Sequence, residues 1–243
     1  GPRPRLFLGH RGSRSALHGA RASDTLPPMC GRFAVTLPPD AMAQLFKASP
    51  DIDLPARPIY NICPTDPVAV VVEGRKLVTM RWGFIPSWYK TPSDGPLLIN
   101  ARAETIAEKP AFREACRTRR CLIPATGFYE WTKNPDGNRL PWYIAPEDSP
   151  LTFAGVWQVW ERGGARHVTC AIVTTCANTS MSAIHHRMPV TLAPEQWALW
   201  LGEEGKGAAR LMTAAPEDRF AFHRVDPAVN SNRAAGPGLI EPL

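Results

Sequence analysis

The 243-residue chain has six cysteines but no CxxC pair among them, and no histidine stands at zinc-ligand spacing from any. Neither a disulfide framework nor a metal site is therefore indicated, and no cofactor is expected. No GxGxxG or Walker sequence appears and strands do not alternate regularly with helices, which disfavours a nucleotide-binding parallel sheet. No internal repeat or heptad emerges. The only apolar run in the first 28 residues is Leu6-Phe7-Leu8, too short for a signal-peptide core or a membrane span. Reduced thiols in a cytoplasmic protein, without a membrane partner, fit this pattern of absences.

Charge is unevenly placed. Residues 1–28 hold Arg3, Arg5, Arg11, Arg14 and Arg21 against Asp24, so most of the formal +6 lies in this segment and the remainder is only mildly basic. The overall charge is then no nucleic-acid signature by itself. The segment begins with Gly1 and has no apolar period. It reads first as translated upstream DNA that is not part of the mature protein, with a disordered basic tail or a transit peptide as alternatives. Residues 29–243 are expected to form a single domain with a large core.

Apolar patterning places a helix after Pro38-Pro39-Asp40 with Ala41, Leu45 and Met42 on its inner face. A hairpin follows, PVAVVVEG with KLVTMRWGF, turning at Glu73-Gly74. LLINARAE starts as a buried strand and turns polar at Asn100, and KPAFREACRTRR is a short helix with Phe112, Ala115 and Cys116 on one face. CLIPATGFYEW returns to β-structure through Gly127, and the run Asn134 to Asn138 is a turn. PWYIAP, LTFAGVWQVW and HVTCAIVTTC are strands, Pro194 opens a late helix, and DRFAFHRV ends the series as a strand. The expected fold is α+β: mainly antiparallel strands curled toward a barrel, with peripheral helices.

Met29-Cys30, opening MCGRFAV behind the arginine-rich segment, looks like a buried translation start. A chain beginning at Cys30 carries a free α-amine and a thiol on adjacent carbons. Such a pair condenses with an aldehyde to an imine and closes a thiazolidine in an intramolecular second step. The bland alternative is a small buried thiol.

In GFYEW, strand alternation puts Phe128 and Glu130 on one face and Tyr129 and Trp131 on the other. On an inward face Glu130 is desolvated and held in the acid form; on an outward face it is simply solvated. His185 and His186 lie in AIHHRMPV, where extended chain would turn them in opposite directions, leaving one to shuttle protons. Asn100 and Arg102 end a strand, and Arg32 and Arg187 each stand two residues beyond a reactive candidate, spacings that suit a phosphate-rich substrate. Trp82 is expected in the core, whereas Trp88, in a proline-rich loop, is the candidate for stacking an unpaired base.

Taken in order, MCGRF, YNICPT, RWGFIPSW, INARAET, GFYEW, IHHRMPV and AVNSN resemble the SOS response-associated peptidase family, proteins that crosslink abasic sites in single-stranded DNA. The resemblance spans residues 29 to 243. It implies that Cys30 is the crosslinking residue, that Asn100, Glu130 and His185 are catalytic, and that Met29 is the processing site. It also implies phosphate contacts from Arg32, Arg102 and Arg187, with Pro64 and Trp88 near a base-wedging surface. It assigns His186 nothing. The partner implied is single-stranded DNA carrying an abasic site, met by a monomer in the cytoplasm at the nucleoid. Two other classes remain: a cysteine peptidase acting on other proteins, with Cys30, His185 and Asn100, and a noncatalytic single-strand binding module.

Overall fold

The computed structural model describes residues 29–243, so the readings of residues 1–28 lie outside the described part. In chain order the elements are β1 (Phe33–Val35), α1 (Pro39–Phe46), β2 (Ser49–Asp51), β3 (Ile59–Ile62), β4 (Pro67–Val72), β5 (Lys76–Trp82) and β6 (Asn100–Arg102). Then come α2 (Arg113–Thr118), β7 (Arg120–Ala125), β8 (Gly127–Lys133), β9 (Arg139–Ala145), β10 (Leu151–Arg162) and β11 (Ala165–Cys176). The chain closes with α3 (Thr179–Ser182), β12 (Arg187–Pro189), α4 (Trp197–Leu201) and β13 (Ala221–Arg224).

The expected hairpin is β4–β5, with Val72 opposite Lys76 and left-handed backbone at Gly74 and Arg75 at its turn. Antiparallel pairing continues from β4 to β7, β7 to β10 and β10 to β11. A parallel contact of β11 with β5, through Thr169–Arg81 and Cys170–Trp82, then closes five strands into a barrel. Closure leaves those strands without free edges where they meet. β6 pairs in parallel with the far half of β11, and β12 lies antiparallel beside its end. A second sheet, ordered β13-β9-β8-β1-β3, packs against the barrel. Phe33 on β1 forms the seam, its ring 4.9 Å from Trp82 and 5.6 Å from Phe153. The α+β barrel with peripheral helices is thus the architecture.

Trp82 is fully buried, as expected, and its indole N–H donates to the Ile99 carbonyl. Pro194 opens a 3-10 turn (Pro194–Gln196) that runs into α4 and stops at Gly202, whose φ of 85° suits a residue without Cβ. Two local expectations need correction. Met42 and Phe46, four residues apart, form the inner face of α1, whereas Leu45 is exposed; Phe46 is held by Trp197, with ring centroids 4.3 Å apart. The strand expected over LLINARAE is only Asn100–Arg102, and Leu97 is 48% exposed, because β11 offers pairing only from Asn100 onward. Among the described residues no helix is long and apolar enough to cross a membrane.

Candidate active site

Cys30 lies three residues before the start of β1, in a turn formed with Met29. Its φ is 48°, a left-handed conformation that is rare for a residue with a side chain. The thiol is inaccessible to solvent, and burial, then the nearby Glu130, raises its pKa well above the ordinary thiol value. The Cys30 backbone N–H donates to Oε1 of Glu130 at 2.6 Å.

Glu130 is on the inward face. The residue is 3% exposed, with Phe128 in the main core and Tyr129 in the smaller cluster against which Trp131 packs. Burial pushes its carboxyl up to about 8, against the opposing pull of the Cys30 and Trp131 N–H groups and the Arg139 charge. The group is therefore largely an acid at neutral pH. Gly127, at the start of the same strand, admits no side chain: a Cβ there would collide with the ring and hydroxyl of Tyr143.

A cleft of about 300 Å³ opens beside Met29, with Asn100, Arg102, Thr174 and His185 in its walls. Asn100 is fixed by β6, and its buried Nδ2 has no hydrogen-bond partner among the described residues, leaving a donor available to a ligand. His185 accepts the Arg187 backbone N–H on Nδ1 at 3.0 Å, so its neutral ring carries the proton on Nε2. Burial, followed by the charge of His186, lowers its pKa. The two imidazoles do not diverge. They stack, with centroids 4.5 Å apart and planes at 22°, because the chain bends after α3 instead of running extended. Asn178 caps α3, and the Glu217 carboxylate accepts the Thr179 and Ser180 N–H groups, fixing the start of this bend.

The three arginines occupy different settings. Arg102 is exposed at the cleft. Arg187 is buried, donating to both carboxylate oxygens of Glu104 at 3.0 and 2.9 Å and to Thr174. Arg32 donates to Asn61 Oδ1 and to the carbonyls of Val229 and Asn230. Asn61 in turn donates to the Ser231 and Ala234 carbonyls, so the YNICPT and AVNSN segments interlock around Arg32. Pro64 is half-buried and Trp88 is 52% exposed; neither lines this cleft.

Sequence reasoning missed Glu104, Thr174 and a second cleft of about 320 Å³, whose walls include Trp131, Lys133, Arg139 and both histidines. The signal for Arg139 was present in the Asn134–Asn138 turn, which folds Arg139 back opposite Lys133. Among the described residues no group of three or more His, Cys, Asp or Glu is placed to hold a metal ion.

A small α+β barrel whose site joins a buried cysteine to a carboxyl group, a neutral histidine and an unpaired amide defines the class of protein. The family model for SOS response associated peptidase (SRAP) matches residues 29–232, and the chain belongs to that family. It is 36% identical over 224 residues to the abasic site processing protein YoqW of Bacillus subtilis, covering 88% of this chain and 99% of that one. It is 31% identical over 227 residues to abasic site processing protein YedK of Escherichia coli, covering 88% and 100%. The corresponding figures for abasic site processing protein HMCES of Gallus gallus are 32% over 198 residues, covering 70% and 58%. Among solved structures, a protein from Bacteroides thetaiotaomicron superposes with a TM-score of 0.79 at 25% identity, covering 88% of this chain and 100% of that one.

Proposed function

We propose that this protein processes abasic sites in single-stranded DNA by linking Cys30 covalently to the open-chain aldehyde of the damaged sugar. The observation that carries this reading is the 2.6 Å contact between the Cys30 nitrogen and a carboxyl group that burial keeps protonated near neutrality. Hydrolysis of the Met29–Cys30 peptide bond, by the protein itself or by a methionine aminopeptidase, turns that amide nitrogen into an amine beside an acid. Glu130 then gives its proton to the ring oxygen and takes up the C1′ hydroxyl proton as the deoxyribose opens, ending protonated again. The amine adds to C1′ and water leaves, forming an imine.

Sγ then adds to the imine carbon and the thiol proton passes to nitrogen, so the whole sequence releases one water and closes a thiazolidine. Burial keeps the thiol protonated, so this addition needs a base. The role suits His185, which is neutral near pH 7 and lines the cleft. The orphaned Nδ2 of Asn100 is the donor for an oxygen of the opened sugar. Arg102 contacts the phosphates directly, Arg32 and Arg187 add positive charge from behind while held by their protein partners, and Trp88 and Pro64 meet the bases. Such binding weakens as salt rises.

The test mixes protein cleaved after Met29 with a single-stranded oligonucleotide containing one abasic site, and resolves the products under denaturing conditions. Wild type gives a stable adduct whose mass is the sum of the two components less one water. Cys30→Ser gives none, and acetylating the Cys30 amine abolishes it. An equal adduct from Cys30→Ser, or none from wild type, overturns the reading.

A further inference from the structure

The second cleft shares the stacked His185–His186 pair with the first, so the imidazoles form a wall common to both. Among the described residues no carboxylate lines it. Lys133 and Arg139 stand directly opposite each other in the β8–β9 ladder, and like charges so placed destabilise a sheet. Among the described residues, neither side chain has a hydrogen-bond or ion-pair partner to relieve that repulsion. A local cost that no hydrogen bond or ion pair among the described residues offsets marks a place where an external anion completes the arrangement.

The Arg139 guanidinium is also held in position. It lies 4.4 Å from the centroid of the Trp131 ring, and the Trp131 indole N–H is anchored to Asn230 Oδ1 at 2.6 Å. Arg32 lies over the same ring at 5.9 Å, but its donors are already committed to Asn61, Val229 and Asn230. Arg187 is likewise committed to Glu104. Among the described residues, the cationic groups around the two clefts without a hydrogen-bond or ion-pair partner are Arg102 on one side of the imidazole wall and Lys133 with Arg139 on the other.

We propose that the second cleft is a phosphodiester subsite, in which Arg139 and Lys133 hold the DNA backbone on the side of the His185–His186 wall away from Met29. It rests on the single-stranded DNA reading above. A strand with its damaged sugar at Cys30 then lies across the wall, with one flank at Arg102 and the other at Arg139. Trp131 keeps the Arg139 fork oriented before the strand arrives, so little side-chain freedom is lost on binding.

The experiment measures equilibrium binding of oligonucleotides carrying a tetrahydrofuran abasic analogue, which has no aldehyde and so separates binding from chemistry. A single uncharged methylphosphonate linkage is moved through each position on both flanks. For wild type, one linkage on one flank is expected to lower affinity about tenfold at low salt. Arg139→Gln binds the unmodified strand more weakly by a similar factor, loses nothing further at that linkage, and has a log affinity against log salt slope shallower by about 0.7.

Arg139→Lys restores the slope, which a merely structural role would not predict, and melting midpoints check that each variant folds. If Arg139→Gln suffers the same methylphosphonate penalties as wild type at every linkage, the subsite assignment is wrong. The same outcome arises if the cleft takes a free phosphate rather than DNA. Adduct formation by wild type on natural abasic DNA is scored separately, so loss of the subsite and loss of the crosslinking reading are distinguishable.

Discussion

Phe33 lies directly opposite Phe128 in the β1–β8 ladder, and this register delivers the Cys30 nitrogen to the Glu130 carboxyl group. Tyr129 N–H donates to the Arg32 carbonyl, extending the ladder one step beyond β1 toward Cys30. Two residues a hundred positions apart in sequence are thus placed by a short antiparallel pair with a phenylalanine buried at its centre. Shifting that register by one residue would turn Glu130 away from Cys30 and toward the Tyr129 face.

The raised pKa of Glu130 has a consequence for stability. A carboxyl group whose folded pKa is about 8, against an ordinary 4.5, stabilises the fold while protonated. Its contribution is fully present below pH 4.5 and is lost as pH rises through about 8, by roughly 5 kcal/mol in total. Glu130→Gln, which cannot ionise, should remove that part of the pH dependence. Melting midpoints of both proteins between pH 5 and 9 check this: the variant overtakes wild type as pH rises. Parallel curves would show that Glu130 is not held protonated.

Glu104 is governed by the opposite sign. Arg187 holds its carboxyl down at about 2, so the stabilisation exists above pH 4.5 and disappears as pH falls through about 2. Breaking a buried pair costs about 3–5 kcal/mol, but Glu104 is 44% exposed and its charge is screened. Glu104→Gln should therefore destabilise the protein by about 1–2 kcal/mol at pH 7 and by less near pH 2. Urea unfolding at the two pH values is the measurement, and equal losses at both would refute the assignment.

His186 is expected to set the acid limb of the proposed reaction. Its charge helps to lower the pKa of His185 across the stacked rings, and its removal lets that pKa rise. His185 is then protonated at higher pH and unable to serve as a base. In His186→Asn, the acid limb of the adduct-formation rate should move to higher pH, with the neutral-pH rate changed less than about threefold. A uniformly slower rate with the limb unmoved would make His186 structural only.

Gly127 tests how closely the strand is packed. Gly127→Ala drives a methyl group into Tyr143, whose neighbour in the ladder is Tyr129, one residue from Glu130. A cost of about 2–3 kcal/mol is expected. Truncating the obstacle as well, in Gly127→Ala with Tyr143→Ala, should cost less than the sum of the two single changes. Additive losses would argue against the contact.

Much of the site could be read from the chain because its residues lie on short elements with clear local signals. Alternation in GFYEW separated Phe128 and Glu130 from Tyr129 and Trp131, and the structure separates them the same way. Alternation assigns a face, however, and leaves open whether that face is dry; this was decided by β1 and the barrel, both distant in sequence. The stacking of His185 on His186 was illegible because it depends on a bend fixed by Glu217, more than thirty residues away. The engagement of Arg187 by Glu104 and of Arg32 by Val229 likewise depends on partners beyond any local window. The α1 face was misread for the same reason: the groove beside Trp197 selected Phe46 over Leu45.

The loop that presents Trp88 is tied down on three sides. The Tyr89 hydroxyl donates to the Pro96 carbonyl, the Trp160 indole donates to the Tyr89 carbonyl, and Gln158 donates to the Ile85 carbonyl. Any partner pressing on the Trp88 indole meets a ledge whose main chain is already held by hydrogen bonds. The ring can tilt, but its mounting has little motion left to surrender, so contact there draws on stiffness already established by folding.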